Sequence, residues 1–241
     1  MTTAWYLPLV AFVAFAALER VSPRHSVAGS PADSFLNFTG LAIQGIAIPV
    51  AGYLLVTHVL AQTWPELAGR LRIGWWGGFV LNFVLIDLIY YAQHRLFHRL
   101  GVLWALHQCH HASPAVTVWA TSRNSLLINV LFVYFLVNPL LGFLCDEPGG
   151  FYFAAALTAA LDLWRHSRLP AHWLPAWLGR LLVTPLHHHL HHSLDTPGVN
   201  FGANLMLWDR LFGTAREPQG YPDRYGTPDA PGPWRQFLFP W

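Results

Sequence analysis

Trp75–His98 reads WWGGFVLNFVLIDLIYYAQHRLFH. The stretch Trp75 to Ala92 is apolar apart from Asn82 and Asp87 and is long enough to be a membrane helix. It ends in His94-x-x-x-His98. Residues three and four apart share one helix face, so Asp87, Tyr91, His94 and His98, stepping by four, three and four, form one stripe. The helix therefore begins in lipid and brings its imidazoles out just above the membrane plane. An acid such as Asp87 inside an apolar span is costly and marks function.

An isolated i, i+4 pair is an ordinary surface accident, but this one has company. His107-x-x-His110-His111 follows within ten residues, then a single His166, then His188-x-x-His191-His192. Neutral imidazole is the commonest side-chain metal ligand. Nine converging imidazoles exceed the needs of one ion and suit a two-metal centre beside a membrane. A zinc-protease reading of His94–His98 fails because no Glu follows the first His. The tract from His187 to His192 could be a metal-buffering run. Thr184-Pro185 argues instead for a helix, with Thr as N-cap and Pro in the first turn. On that helix His187 and His189 fall outside the repeated spacing. His166 is counted in because the other clusters need a ligand from its side. His25, His58 and His172 lack such company and read as structural or exposed. A ligating His usually donates its other N–H to a carboxylate, carbonyl or water. Asp87, Asp162, Asp195 and Asp209 are the candidate partners.

Composition agrees with a membrane protein. The 241 residues are 54% hydrophobic and 11% charged, against about 25% charged in soluble domains. A net charge of +2 makes no case for nucleic acid. Twelve Trp and 16 Phe fit interfacial belts. Two cysteines, Cys109 and Cys145, make no disulfide framework.

Five apolar segments are expected as membrane helices: Trp5–Leu18, Phe35–Ala61, Trp75–Ala92, Leu126–Leu144 and Phe151–Trp164. No basic residue precedes the first, and no small-residue cleavage site stands out, so it reads as a helix rather than a signal peptide. The fourth and fifth could instead form a re-entrant hairpin. Arg20, Arg24, Arg95, Arg99, Arg123, Arg165, Arg168 and Arg180 then share one side, which the positive-inside bias makes cytosolic. All the histidine clusters fall on that side, and Cys109 and Cys145 on opposite sides. The expected fold is all-α: an integral membrane helical bundle of four to five segments with a cytosolic helical cap carrying the histidines. Residues 1–74 form N-terminal membrane helices and a loop, 75–215 the catalytic region, and 216–241 an irregular cytosolic tail closing on Phe237–Trp241.

The motifs then become specific. Asp87-x-x-Tyr90-Tyr91-x-x-His94-Arg95-x-x-His98 is followed by Leu103-Trp104-x-x-His107-x-x-His110-His111. Later come Thr184-Pro185-x-x-His188-x-x-His191-His192-Ser193, Asn200-Phe201-Gly202 and Leu207-Trp208-Asp209-Arg210-Leu211-Phe212-Gly213-Thr214. Together they resemble the fatty acid hydroxylase / sterol desaturase superfamily over about residues 80–215. The resemblance implies a membrane oxygenase with a di-iron centre ligated by His94, His98, His107, His110, His111, His166, His188, His191 and His192. Dioxygen and two electrons would serve to hydroxylate or desaturate a fatty acyl chain, sterol, hopanoid, ether lipid or carotenoid. No flavin, haem or iron–sulfur motif is visible, so a separate cytochrome b5-like or ferredoxin-like donor is implied. Arg95, Arg99, Arg123 and Arg168 are candidates for its docking patch, although the positive-inside bias accounts for any one of them.

Two departures matter. Ser125 stands where the superfamily often has the His of Arg-x-His, and Asp162 stands one turn before the lone His166, in place of a partner His. A mixed His/Asp ligand set is therefore open there. The alternatives are a metal transporter or storage protein, a zinc hydrolase, and a relative that keeps the fold without catalysis. Clusters beyond helix ends disfavour transport, whose sites lie near the bilayer midplane. No general-base Glu stands near a cluster for hydrolysis. Ser125 keeps the last alternative alive.

Overall fold

The computed structural model describes residues 6–22, 29–131, 133–170, 173, 175 and 177–238. His25, His172 and residues 239–241 lie outside the described residues. The described chain is helical, with isolated β-bridges and no strand.

Apolar sequence becomes helix here because buried or lipid-facing backbone must satisfy its own hydrogen bonds. The helices are α1 (Tyr6–Val21), α2 (Pro31–Thr63), α3 (Gly74–Arg99), α4 (Gly101–His111), α5 (Leu126–Leu131), α6 (Val133–Leu144), α7 (Pro148–His166), α8 (Pro185–His191), α9 (Met206–Leu211) and α10 (Pro233–Leu238). Ser30 and Asp33 close α2 with a reciprocal capping box. Wider π turns interrupt α2 at Ile43–Ala47 and Leu55–Leu60, and α3 at Leu81–Ile86.

Contacts at the chain reversals fix which ends lie together. Glu19, near the end of α1, accepts from the Val118 and Arg168 amides at 3.0 and 2.9 Å. Asp33, in the first turn of α2, meets Arg123 at 2.7 Å. The end of α1, the start of α2 and the end of α7 therefore share one end with the histidines. At the other end, Gly69 and Leu71 amides bond to Phe143 and Leu144 carbonyls. Asp146 there accepts from the Ile73 and Gly74 amides at 3.1 and 3.0 Å. So α1, α2, α3, α5–α6 and α7 alternate in direction, and Cys109 and Cys145, both free and buried, lie at opposite ends.

Among the described residues, α2 and α3 are the helices both long and apolar enough to cross a membrane. Only 11% of the apolar window of α2 is buried within the protein, so its hydrophobic side faces outward. Helix faces meet through small residues. A Cβ on Gly150 would stand 1.8 Å from the Trp75 carbonyl oxygen, so α7 touches α3 backbone to backbone there. A Cβ on Gly40 would stand 2.0 Å from the Ser122 carbonyl oxygen. Amides clasp the bundle inside: Gln44 Nε2 to Asn129 Oδ1 at 3.1 Å, and Asn82 Nδ2 to Asn138 Oδ1 at 3.4 Å. Ile86, Tyr90, Phe97, Leu106, Ile128 and Phe151 form the core between helices and histidines.

Helix α3 continues to Arg99, as the stripe from Asp87 to His98 requires. Two details differ from the sequence reading. The C-terminal stretch is not wholly irregular. It ends in α10, where Trp234 and Phe237 pack on Phe35 at 5.1 and 6.4 Å. Finally, Arg123 and Arg165 are buried. Arg123 bonds to the Cys109 carbonyl, Asp33 and Gln236. Arg165 bonds to the Ala203 carbonyl and Asp162. Arg123 therefore cannot form part of an exposed docking patch. Arg99 is exposed, and Arg95 and Arg168 are partly so.

Candidate metal centre

The nine histidines fall into two adjacent groups. His94, His98, His107, His111 and His191 form one, and His110, His166, His188 and His192 the other. Within each group one nitrogen per ring lies within 4.8 Å of all the others.

Helix geometry explains the sorting. On α4, His107 and His111 are one turn apart and enter the five-histidine group, while His110 between them enters the four-histidine group. On α8 the assignment reverses: His191 joins the five, and His188 and His192 join the four. The repeated H-x-x-H-H thus spans both groups from two helices. His94 and His98 complete the first from α3, and His166 completes the second from α7. The rings of His111 and His192, one from each group, stack at 4.3 Å.

Backbone carbonyls aim the rings. Nδ1 of His94 reaches the Phe201 carbonyl at 2.8 Å, and Nδ1 of His191 the Val199 carbonyl at 2.7 Å. Nδ1 of His110 reaches the Arg123 carbonyl at 3.2 Å, and Nδ1 of His166 the Asp162 carbonyl at 2.8 Å. A carbonyl only accepts, so each Nδ1 carries the proton and each Nε2 offers a lone pair. The lone pairs then face one another. His110 and His166 Nε2 are 3.3 Å apart, with both Nδ1 atoms already committed. His166–His188, His188–His192, His94–His107 and His111–His191 approach through Nε2 at 2.9–3.1 Å. His98 Nε2 is buried without a hydrogen-bond partner. Burial holds His107, His110, His111, His188 and His192 well below the ordinary imidazole pKa, and His191 at about 4. These rings are neutral near neutrality, each with one ring nitrogen able to bind a cation, and an all-imidazole donor set suits iron, copper, nickel or zinc.

The four carboxylates have different places. Asp162 lies 3.0 Å from His166 Nδ1 and 2.7 Å from Arg165, supporting His166 from behind rather than joining the four-histidine group. Asp209 accepts from the Phe201 and Gly202 amides at 2.7 Å each and holds the loop whose carbonyl meets His94. Asp87 accepts from the Asn204 amide, the Leu205 amide and Trp208 Nε1, and holds the other side of that turn. Asp195 is not brought to the centre: it is exposed and paired with Arg224. His187 bonds to Thr184 and Glu217, and His189 to Tyr225 and the His166 carbonyl, so both stand outside the two groups. Ser125 is buried and belongs to neither group.

Sequence reading could not find the carbonyls, since every residue has one. It did single out Asn200-Phe201-Gly202. Asn200 adopts φ 53°, a left-handed conformation that Asn tolerates better than most residues. Its side chain fastens to the His187 carbonyl, the Arg216 carbonyl and the Arg216 amide, and the turn presents the Val199 and Phe201 carbonyls.

A cavity of about 20 Å³ abuts His107, His110 and His166, and so touches both groups. Gln44, Tyr90, Thr121, Asn124 and Asp162 complete its lining. It has room for a single small molecule the size of water.

A family model described as fatty acid hydroxylase matches residues 79–214. Alkylglycerol monooxygenase of Xenopus tropicalis is 31% identical over 58% of this chain and 30% of its own length. Ornithine lipid hydroxylase OlsE of Rhizobium tropici is 31% identical over 74% of this chain and 50% of its own length. Delta(7)-sterol 5(6)-desaturase erg3C of Aspergillus fumigatus is 25% identical over 58% of this chain and 48% of its own. The match thus spans half or less of each of these relatives. No solved structure matches the chain.

Proposed function

The chain belongs to the fatty acid hydroxylase family, and from that premise we propose that it is a multi-pass membrane oxygenase, its histidines on the cytosolic face, that hydroxylates or desaturates a lipid. His94, His98, His107, His111 and His191 would hold one iron, and His110, His166, His188 and His192 the other. The observation that carries this reading is the convergence of nine imidazoles in two touching groups, with the His110 and His166 Nε2 atoms 3.3 Å apart and both Nδ1 atoms held by backbone carbonyls. Bound there, two irons would supply the activation of dioxygen, with two electrons from a separate donor and two protons: hydroxylation would put one oxygen atom into the C–H bond and the other into water, and desaturation would put both into water.

The protein's own share is position and dryness. The carbonyls of Phe201, Val199, Arg123 and Asp162 keep four rings in the ligating tautomer. Eight of the nine imidazoles are buried and His98 is nearly so, which excludes bulk water from a strong oxidant. The cavity between the groups offers a polar wall, from Gln44, Thr121 and Asn124, to whatever approaches. The names of the relatives favour a polar lipid, a sterol or an ether lipid as substrate class.

Metal analysis of iron-supplied protein in mild detergent tests the reading. About two irons per chain are expected for a paired site. His191→Ala should reduce that to about one by disabling the five-histidine group, and His110→Ala should do so through the four-histidine group. Both variants should lose turnover of a lipid substrate. Iron content and activity unchanged in both would defeat the assignment.

A further inference from the structure

An apolar surface on the chain is absorbed by neither the bundle nor the metal centre. Leu207, Leu211 and Phe212 on and just after α9 are exposed, as are Trp177 and Leu181 on the neighbouring segment. The two segments are joined: the Leu182 and Leu205 backbones bridge, and the Met206 amide bonds to the Leu181 carbonyl. Arg180 and Arg210 stand among these residues, and Arg210 is tied to the Arg180 and Gly179 carbonyls. A contiguous exposed patch with aromatic, leucine and arginine side chains is the composition of a helix lying in a membrane interface.

Its height decides the matter. Trp208 packs with Tyr91 and Phe201 against Val84 and Leu88 of α3, and Phe212 stacks on Tyr91 at 5.3 Å. The Asn204 amide and Trp208 Nε1 are anchored on Asp87, and Asn204 Nδ2 on Thr158 of α7. At 1.5 Å per residue, Asp87 lies about 10 Å below His94 along α3, and Thr158 about 12 Å below His166 along α7. Two helices thus give the same answer: this turn hangs about 10 Å beneath the level of the histidines. From Gly74 to His94 is about 30 Å, one hydrocarbon thickness. With Trp75 and Trp76 at the far boundary, the patch falls inside the near one, and Val80 and Leu85 of α3 are exposed as well.

We propose that the 177–182 and 205–212 segments form a shelf inserted about 10 Å into one leaflet, with the phospholipid bilayer as its partner. Arg180, which is exposed, faces the phosphodiester headgroups. The shelf pins the loop that aims His94 and His191, so it holds the metal centre at a fixed height over the acyl chains. The inference rests on α3 spanning the membrane, as in the function proposed above.

Nitroxide labels test it on the full-length protein in phosphatidylcholine–phosphatidylglycerol nanodiscs. Leu181→Cys and Leu211→Cys report on the shelf, Leu85→Cys on α3, and Asp223→Cys on an exposed aqueous position. Native Cys109 and Cys145 are buried, so background labelling is low. The shelf labels should collide with oxygen in preference to a water-soluble nickel chelate, several-fold more than the Asp223→Cys label does. If they match that aqueous label while Leu85→Cys reports lipid, the shelf is wrong and the membrane reading stands. An aqueous result at Leu85→Cys overturns both. Shielding from both relaxants, with dipolar broadening that vanishes on dilution with unlabelled protein, assigns the surface to a second copy and overturns the lipid partner. Iron content is measured separately, so failure here leaves the metal assignment untouched.

Discussion

Asp209 acts on the metal centre without touching it. Its carboxylate is buried and accepts the Phe201 and Gly202 amides and the Thr214 hydroxyl, at 2.7 Å each. The result is a fixed Phe201 carbonyl, and that carbonyl fixes the His94 ring. Asp209→Ala strands two buried amides, each worth about 1–3 kcal/mol. A stability loss of about 2–5 kcal/mol is expected in thermal or denaturant unfolding. Removing an outer partner of a ligating His weakens metal binding about 10–100-fold, which chelator competition reads directly. A destabilised variant with unchanged chelation would separate the loop from the ligand. The carboxylates also show what sequence reveals at this scale. Asp162 sits directly behind His166, as a one-turn spacing on α7 permits. Asp87 serves through backbone amides more than a hundred residues along the chain, Asp209 through the amides of the nearby 201–202 turn, and Asp195 is paired with Arg224. Residue type identifies an acid that will be buried or exposed only with its partners in place, and for Asp87 those partners are long-range.

At the scale of helices, the H-x-x-H-H motif announces a ligating face but not two groups. His107, His110 and His111 lie within one turn on α4, and the division into two groups depends on how α3, α7 and α8 roll against that face. That roll is set by close approaches the sequence shows only as glycines. Gly150 is the tightest, with the Trp75 carbonyl oxygen 1.8 Å from where a Cβ would stand, and Gly78 faces Phe151 in the same crossing. Gly150→Val should force α3 and α7 apart, since the obstacle is backbone and cannot rotate away. A fall in unfolding temperature and a loss of iron from the four-histidine group, whose His166 rides on α7, are expected together. Gly45→Val, on α2 with open space around its Cβ position, is the control and should do neither. Apolar stretches placed all five long helical passages, because hydropathy reports burial in lipid or core. It missed the short α10, where packing against Phe35, not hydropathy, holds the helix.

For the whole molecule, nine clustered imidazoles couple folding to protons and metal. Burial lowers His191 to about 4 and His189 to about 3 from an ordinary 6.5. Below pH 6.5 the unfolded chain binds protons at these rings while the folded chain does not. Their contribution is therefore fully present above about pH 6.5 and is lost as pH falls, down to about 4 for His191 and about 3 for His189, each ring costing about 1.4 kcal/mol per pH unit. The metal-stripped protein should thus unfold at sharply lower denaturant concentration at pH 5 than at pH 7. Bound metal competes for the same lone pairs and stabilises only the folded chain. Loaded protein should keep its unfolding midpoint over that range and lose it at lower pH, with metal release marking the transition. His189 bonds to Tyr225 and the His166 carbonyl rather than joining either group, so it separates the two effects. His189→Asn should reduce the pH dependence of the stripped protein by about one ring's share while leaving about two irons in the loaded one. A stripped protein whose midpoint does not move between pH 7 and 5 would show that the imidazoles are solvated in the absence of metal, and that the cations, not the helices, close the centre.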